Sequence, residues 1–272
     1  MNGLNPESYK YSPVSLLPEI ADHNDSKRVE VGDGEHQELV SFFEGAQDLK
    51  GGLEITIGKN ASLHHWLVFK EEESSVHLEE LNVLVDANAN YTLNAVTLGS
   101  KWSRADIHIR LIGQHAECHL LGLDLASGSA HIDRHLLIEH EVPNTKSTQL
   151  FKGIFDQSST ASFYGKIKVL HGADGSSASQ TNRNLLLSPG ATVNTRPQLE
   201  IDTDEVSCTH GATVGQLDED AVFFLRSRGL SEGEARSLLT EAFAREVLTA
   251  FKASAQKDDI EKCVLAWLRR GV

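Results

Sequence analysis

One feature constrains this chain more than any other: a small residue opens a strand-like run again and again through its middle. It does so at Ala116, Ala130, Ser147, Ala161, Ala178, Ala191 and, more loosely, Val206, in steps of 14, 17, 14, 17, 13 and 15 residues. Behind each opening residue the chain runs on as x-apolar-x-x, as in Ala116-Glu-Cys118-His and Ala161-Ser-Phe163-Tyr, with Gln149 and Gln180 as the polar exceptions. Two such segments make a unit of about 30 residues. A repeat of this size is one supersecondary unit that buries its apolar face only by stacking on the next. Alternating runs such as Leu53-Ile55-Ile57, Val76-Leu78, Leu81-Val83-Val85, Tyr91-Leu93, Ile107-Ile109-Leu111 and Ile167-Val169 mark strands, and no helical stripe separates them. A doubly wound α/β fold is therefore excluded. The competing architecture, an antiparallel sandwich, calls for hairpin signals, and Asp-Gly occurs only at Asp33-Gly34 and Asp174-Gly175. The reading is a mainly β fold, a β-solenoid, with its core over residues 51–217.

The flanks differ from the core. Residues 1–50 read as an irregular segment: Pro6, Pro13 and Pro18 interrupt any helix, and 22–35 is a charged loop. Within it, Leu39, Phe42, Phe43 and Ala46 recur at helical spacing and suggest a short helix over 36–50. Residues 218–272 read as a C-terminal helical subdomain. Val222, Phe223 and Leu225 precede a terminating Gly229, and Ser231-Glu-Gly-Glu234 is a capping box for a second helix with Leu238, Leu239, Ala242, Phe243, Val247 and Leu248 on its apolar face. A third helix is expected to start near Asp258-Asp259, with Ile260, Val264, Trp267 and Leu268 on one face. This subdomain would cap the end of the solenoid, dock a partner, or both.

Charge and composition narrow the function. With 25 Lys and Arg against 39 Asp and Glu, the net charge of −14 and the lack of a basic run argue against nucleic acid and anionic membranes as partners. No apolar stretch is long enough to cross a membrane, and the polar start holds no signal peptide. Three scattered cysteines make no disulfide framework and point to the reducing cytoplasm. Gly52 to Lys59 imitates a P-loop, but the spacing is one residue too long and Asn60 stands where Ser or Thr would hold magnesium. No dinucleotide fingerprint or nucleophile elbow is present.

Thirteen histidines raise the question of a metal. His131 and His135 are too far apart along a strand to share one, and His64 and His65 point to opposite faces. Asp202 and Asp204 share a face on a strand-like stretch, so a carbohydrate-active β-helix enzyme with paired carboxylates is an alternative, although 6% aromatic residues supply a poor sugar platform. Cys208 and His210 also share a face, and a thiolate beside an imidazole is half of a soft-metal site. On spacing alone Cys208 is equally a small buried hydrophobe. Cys118 and Cys263 are read as packing residues.

The run Cys208-Thr-His-Gly-Ala-Thr-Val-Gly-Gln-Leu-Asp218, followed by Val222-Phe-Phe-Leu-Arg-Ser-Arg-Gly-Leu230, resembles the C-terminal signature of the SufB/SufD family of the SUF iron–sulfur cluster assembly system. Glu139 to Asn144, Ser179 to Leu187, Arg196 to Ile201 and the N-terminal Glu7-Ser-Tyr-Lys-Tyr-Ser-Pro13 are similar to the same family, in order, over nearly the whole chain. The SufD branch is indicated, because SufB carries a Glu-rich variant where this chain reads Cys-Thr-His-Gly-Ala-Thr. The resemblance implies a right-handed parallel β-helix with C-terminal helices and a non-enzymatic scaffold role. It implies pairing with SufB through the β-helix ends. It implies docking of the ATPase SufC, which binds the ATP, through C-terminal residues such as Phe224, Arg226, Arg228, Leu238 and Phe243. It also implies a transient iron–sulfur cluster at the SufB interface with Cys208 and His210 as ligand candidates, His210 the stronger. ATP-driven closure of SufC would move the C-terminal helices and, through them, that interface. Because the paralogues share a fold, two copies of the chain could also pair through the same surface, and the sequence leaves monomer and homodimer both open. Family members carry a helical segment before the aromatic-Tyr motif, which here starts within ten residues of Met1, so that segment's roles in SufB or flavin binding are not carried over.

Overall fold

The computed structural model describes residues 26–270 except 47 and 73, so the N-terminal motif at 7–13 lies outside the described residues. Fourteen strands are followed by three helices. The strands form two seven-stranded parallel sheets: one of odd members in the order β1 (Ser26–Val31), β3 (Leu49–Ile57), β5 (Val76–Val85), β7 (Trp102–Leu111), β9 (His131–His140), β11 (Thr160–Val169), β13 (Thr192–Ile201), and one of even members in the order β14 (Ser207–Gly215), β12 (Ser177–Leu186), β10 (Lys146–Phe155), β8 (Glu117–Ala126), β6 (Asn90–Gly99), β4 (Ser62–Glu71), β2 (His36–Gly45). Each coil gives one strand to each sheet, so the chain winds as a flattened β-solenoid. The coil is 26 residues long where Ser26 pairs with Gly52 and 32 where Thr160 pairs with Thr192.

Successive side chains alternate between the solenoid interior and the outside. Inside, like residues stack on like: Ile55 pairs with Val83, Val83 with Ile109, Ile109 with Ile138, Ile138 with Ile167 and Ile167 with Leu199. This column and its neighbours make the main core, from Leu53 through Leu136 to Phe163. Where an aromatic ring fills the interior, the neighbouring strand yields: a Cβ at Gly122, the register partner of Phe151, would overlap the Phe151 ring. At one corner of each of the first six coils the chain takes a left-handed residue, and Gly34, Asn60, Asn88, His115, Asn144 and Gly175 supply it in turn. Gly and Asn carry this conformation at least cost.

Two expectations for the flanks are corrected. The solenoid begins inside the segment read as irregular, with β1 at Ser26–Val31 and β3 already at Leu49–Ile57. Residues 36–50 contain β2, His36–Gly45, in place of a helix. Its intermediate positions alternate, and in-register pairing with β4, Ser62–Glu71, outweighs the local helical spacing.

The helices are α1 (Glu219–Arg226), α2 (Glu232–Ala250) and α3 (Ala255–Leu268). The capping box of α2 is formed: Glu234 N–H donates to Ser231 Oγ, and Ser231 N–H donates to Glu234 Oε2 at 2.7 Å. Gly229 takes a φ of +98° after α1. α3 starts ahead of Asp258; its N-cap residue Ser254 instead accepts a hydrogen bond from Trp66 Nε1 at 3.0 Å. The helices do not cap the solenoid end. Val247, Leu248, Ile260 and Val264 pack with Trp66, Val68, Val96, Leu123 and Ile154 on the outer face of the even sheet. The apolar face of α2 is also turned from its expected position: Ala235, Thr240 and Ala244 are buried, while Leu238 is exposed.

Candidate functional site

The last coil consists of β13 (Thr192–Ile201) and β14 (Ser207–Gly215), the edge strands of the two sheets. Because α2 and α3 lie along the side, these edges stay open, and Ile201 and Val214 are exposed. Each edge presents a row of unpaired backbone N–H and C=O groups, a template for another chain.

Cys208 and His210 both lie on β14. Their register partners are Ala178 and Gln180, which are buried and face the interior, so both follow an inward-facing column at the point where it meets solvent. Cys208 is half-buried against the cluster formed by Ile167, Val169 and Ala178; burial pushes its thiol up from the usual range, opposed by a backbone hydrogen bond from Ala178. His210 is exposed. They set a thiol and an imidazole on one face of an open edge strand. Among the described residues no group of three or more His, Cys, Asp or Glu is placed to hold a metal ion.

The floor beneath them is polar. Going inward from His210, the column reads Gln180, Gln149, Leu120, Leu93 and His65. Gln180 and Gln149 are buried, and Gln180 Nε2 donates to Gln149 Oε1 at 2.9 Å. Beside them Asn182 and Asn184 form a second buried amide pair, with Asn184 Nδ2 donating to Asn182 Oδ1 at 2.6 Å. The sequence marked Gln149 and Gln180 only as breaks in the apolar pattern. That break was the signal for this floor.

The remaining predicted residues fall elsewhere. Asp202 and Asp204 are exposed in the turn after β13, not side by side on a strand face. His64 and His65 do point apart: His64 meets Asn94 outside, whereas His65 sits inside between Tyr91 Oη and Ser41 Oγ, both at 2.9 Å. Cys118 is fully buried, and burial pushes its thiol far up. Cys263 lines a mostly apolar groove with Val40, Phe42, Val68, Leu98 and Ile260. On the helices, Phe224 is half exposed with the Arg228 guanidinium 3.4 Å from its ring centroid. Arg226 faces Glu232 at 3.6 Å, and Leu238 is exposed. Phe243 is turned inward, its ring 4.0 Å from Lys152 Nζ. Phe223, read from the sequence only as an apolar residue of the first helix, is the most exposed large apolar residue among the described residues at 72%. Consecutive phenylalanines on a short helix cannot both be buried on one side, and that was the available signal.

The architecture is a parallel β-solenoid with an open edge coil, helices along its flank, and a thiol and an imidazole on the edge strand. The SufBD core domain of the SUF system for FeS cluster assembly matches residues 23–243, and the chain belongs to this family. An iron–sulfur cluster assembly SufBD family protein of Synechocystis is 36% identical over 211 residues, covering 78% of this chain and 47% of that one. The chloroplastic protein ABCI7 of Arabidopsis thaliana is 36% identical over 73% of this chain and 42% of its own length. The iron–sulfur cluster assembly protein SufD of Escherichia coli is 29% identical over 85% of this chain and 56% of its own length. The chain thus spans about half the length of these relatives.

Proposed function

We propose that this chain is a SufD-like, non-enzymatic subunit of an iron–sulfur cluster assembly complex. Its open solenoid end pairs with a SufB-like partner, and Cys208 and His210 contribute to the seam where the nascent cluster is built. The observation that carries this reading is the pairing of these two donors on the inward-facing column of the edge strand β14. A partner added edge to edge would bring its own terminal coil against them and complete a four-ligand set. The cluster is cargo here, assembled and passed on.

The ATPase, a SufC-like protein that holds the ATP, docks on the helical side. Phe223, Phe224 and Leu238 offer exposed apolar area, with Arg226 and Arg228 beside them. In isolation two copies of the chain pair through the end meant for the SufB-like partner. The three cysteines are free, which suits a reducing compartment, and we place the complex in the cytoplasm. No helix among the described residues is long and apolar enough to cross a membrane.

The test is co-purification of the chain with its SufB-like and SufC-like partners, then anaerobic iron–sulfur reconstitution. A stable three-component complex whose cluster yield falls at least about tenfold with His210→Ala is expected, as for loss of a metal ligand. A complex that forms normally and assembles clusters equally well with His210→Ala and Cys208→Ala would overturn the site.

A further inference from the structure

We infer that Gln180 is a positioning residue for His210: its buried amide oxygen, unpaired among the described residues, is the acceptor that the inward-facing ring N–H takes when the His210 ring turns to it, which leaves the other ring nitrogen outward with its lone pair free. The inference rests on the cluster-site reading of His210 for its purpose, but its geometry stands on other observations. Gln180 is 1% exposed and is the register partner of His210, one coil inward. Its Nε2 is committed in the opposite direction, donating to Gln149 Oε1 in the coil below. With the nitrogen end held inward, the oxygen end faces the outer coil, and Gln180 Oε1 has no partner. In-register side chains on neighbouring strands stand about 4.8 Å apart, so amides stack into ladders that run along the solenoid axis. This ladder has a direction. It starts against Leu120, which accepts nothing and leaves Gln149 Nε2 unpaired, and it ends in an acceptor beneath His210.

The space for the ladder is built. A Cβ at Gly165, on the facing strand β11 (Thr160–Val169), would overlap the Gln180 amide. A buried, unpaired carbonyl costs free energy; Gln149 already meets this amide from the inner side, and the column neighbour on the outer side able to donate to it is an imidazole. Histidines that bind metal through one ring nitrogen characteristically donate from the other to an oxygen that fixes tautomer and ring orientation.

The experiment is long-range nitrogen–proton spectroscopy of the full chain, reading the tautomer ratio of His210, assigned by its loss in His210→Ala. One tautomer should dominate in the parent chain. Gln180→Leu should change the ratio about fivefold, the factor one net hydrogen bond supplies. Gly165→Ala, which displaces the amide without removing it, should change the ratio in the same direction, and covers the case in which Gln180→Leu fails to fold. A ratio unchanged in every variant that folds overturns the inference. The two readings fail separately. If the tautomer responds while reconstitution ignores His210→Ala, the cluster site falls and the positioning stands. If reconstitution needs His210 while the tautomer ignores Gln180→Leu and Gly165→Ala, the positioning falls and the site stands.

Discussion

At the scale of single residues, exposure and charge separate the three cysteines. Cys118 is stacked among Tyr91, Leu120 and Phe151 in the main core, and burial disfavours its thiolate. Thiol reagents attack the thiolate, so in the native chain Cys118 should stay unlabelled by iodoacetamide while Cys208 and Cys263 are modified; peptide mass spectrometry reads the result, and labelling of Cys118 before unfolding would contradict its placement. Cys208 should react more slowly than a fully exposed thiol, because burial also raises its pKa. Spacing alone left Cys208 open between hydrophobe and ligand, and the structure explains why: it packs on Ala178 and lies at the open edge as well. The small-residue repeat was similarly half legible. Ala116 and Val206 lie just before β8 and β14, whereas Ser147 and Ala178 are the second residues of β10 (Lys146–Phe155) and β12 (Ser177–Leu186). Two columns had been merged, which produced the uneven steps. The in-register positions Ala116, Thr145, Ser176 and Val206 step by 29, 31 and 30 residues. Chemical type varies along that column, so similarity of residues could not reveal it.

At the scale of elements, the decisive contact is between α2 and the even sheet. Lys152, on the outside of β10, is almost wholly buried; its Nζ donates to Phe243 O at 2.8 Å and to Glu246 Oε2 at 2.5 Å. Arg183 adds a second cation to Glu246 at 3.0 Å. A lysine is buried only when its ammonium is paired, so this residue marks where the helix is tied down. Lys152→Ala should destabilise the chain by about 2 kcal/mol, from lost charged hydrogen bonds and lost stem packing. Hydrogen exchange should rise in α2 more than in β10, and equal change in both would argue against a tie specific to the helix. The stop of α1 and the N-cap of α2 were legible because Gly229 and Ser231 act within one turn; the Asp218 N-cap of α1 was not singled out. The face of α2 was not legible, because it is chosen by Trp66, Val68 and Leu123, which are distant in sequence. The same packing forecasts the outcome of cutting the helices away. Deleting 218–272 would uncover Trp66, Val68, Val96, Leu123 and Leu125 together, and such a patch aggregates. The truncated chain should be insoluble, so docking of the ATPase is better tested by Phe223→Ser with Phe224→Ser, which should abolish co-purification and leave thermal stability unchanged because both side chains are exposed.

At the scale of the whole molecule, polar groups inside the solenoid set its response to acid and its open end sets its association. Burial lowers His65 to about 3; burial first, with the Arg104 charge, lowers His135 to about 4; burial lowers His140 to about 4. Unfolded, each titrates at its ordinary value of about 6.5. Below that value the unfolded chain binds protons that the folded chain refuses, so stability is full above pH 6.5 and falls as pH drops toward 4. His77 acts the other way. Burial alone would lower it, but Glu71 at 2.6 Å and Glu79 at 3.3 Å outweigh burial and raise it, so its contribution is present at low pH and lost as pH rises through its raised value. His64 is lowered as well, by burial first, so four groups against one predict a denaturant midpoint that falls between pH 7.5 and 5, with on the order of 2 kcal/mol of stability lost for each of His65, His135 and His140; a flat midpoint would contradict their burial. The open end argues independently. The mainly apolar columns of the odd sheet stop at Leu199 and Ile201, and the polar column of Asp124, Gly153 and Asn184 stops at Val214; among the described residues nothing covers these edge strands. Natural edge strands are kept from pairing by charges on this inward row, and Ile201 and Val214 are uncharged. Placing lysine at both, Ile201→Lys with Val214→Lys, should leave the melting temperature nearly unchanged, since each side chain is already more than a third exposed. It should convert the isolated chain from dimer to monomer in sedimentation velocity and abolish capture by a SufB-like partner together. Loss of the dimer with partner capture intact would place the two associations on different surfaces, and loss of neither would remove the solenoid end from both.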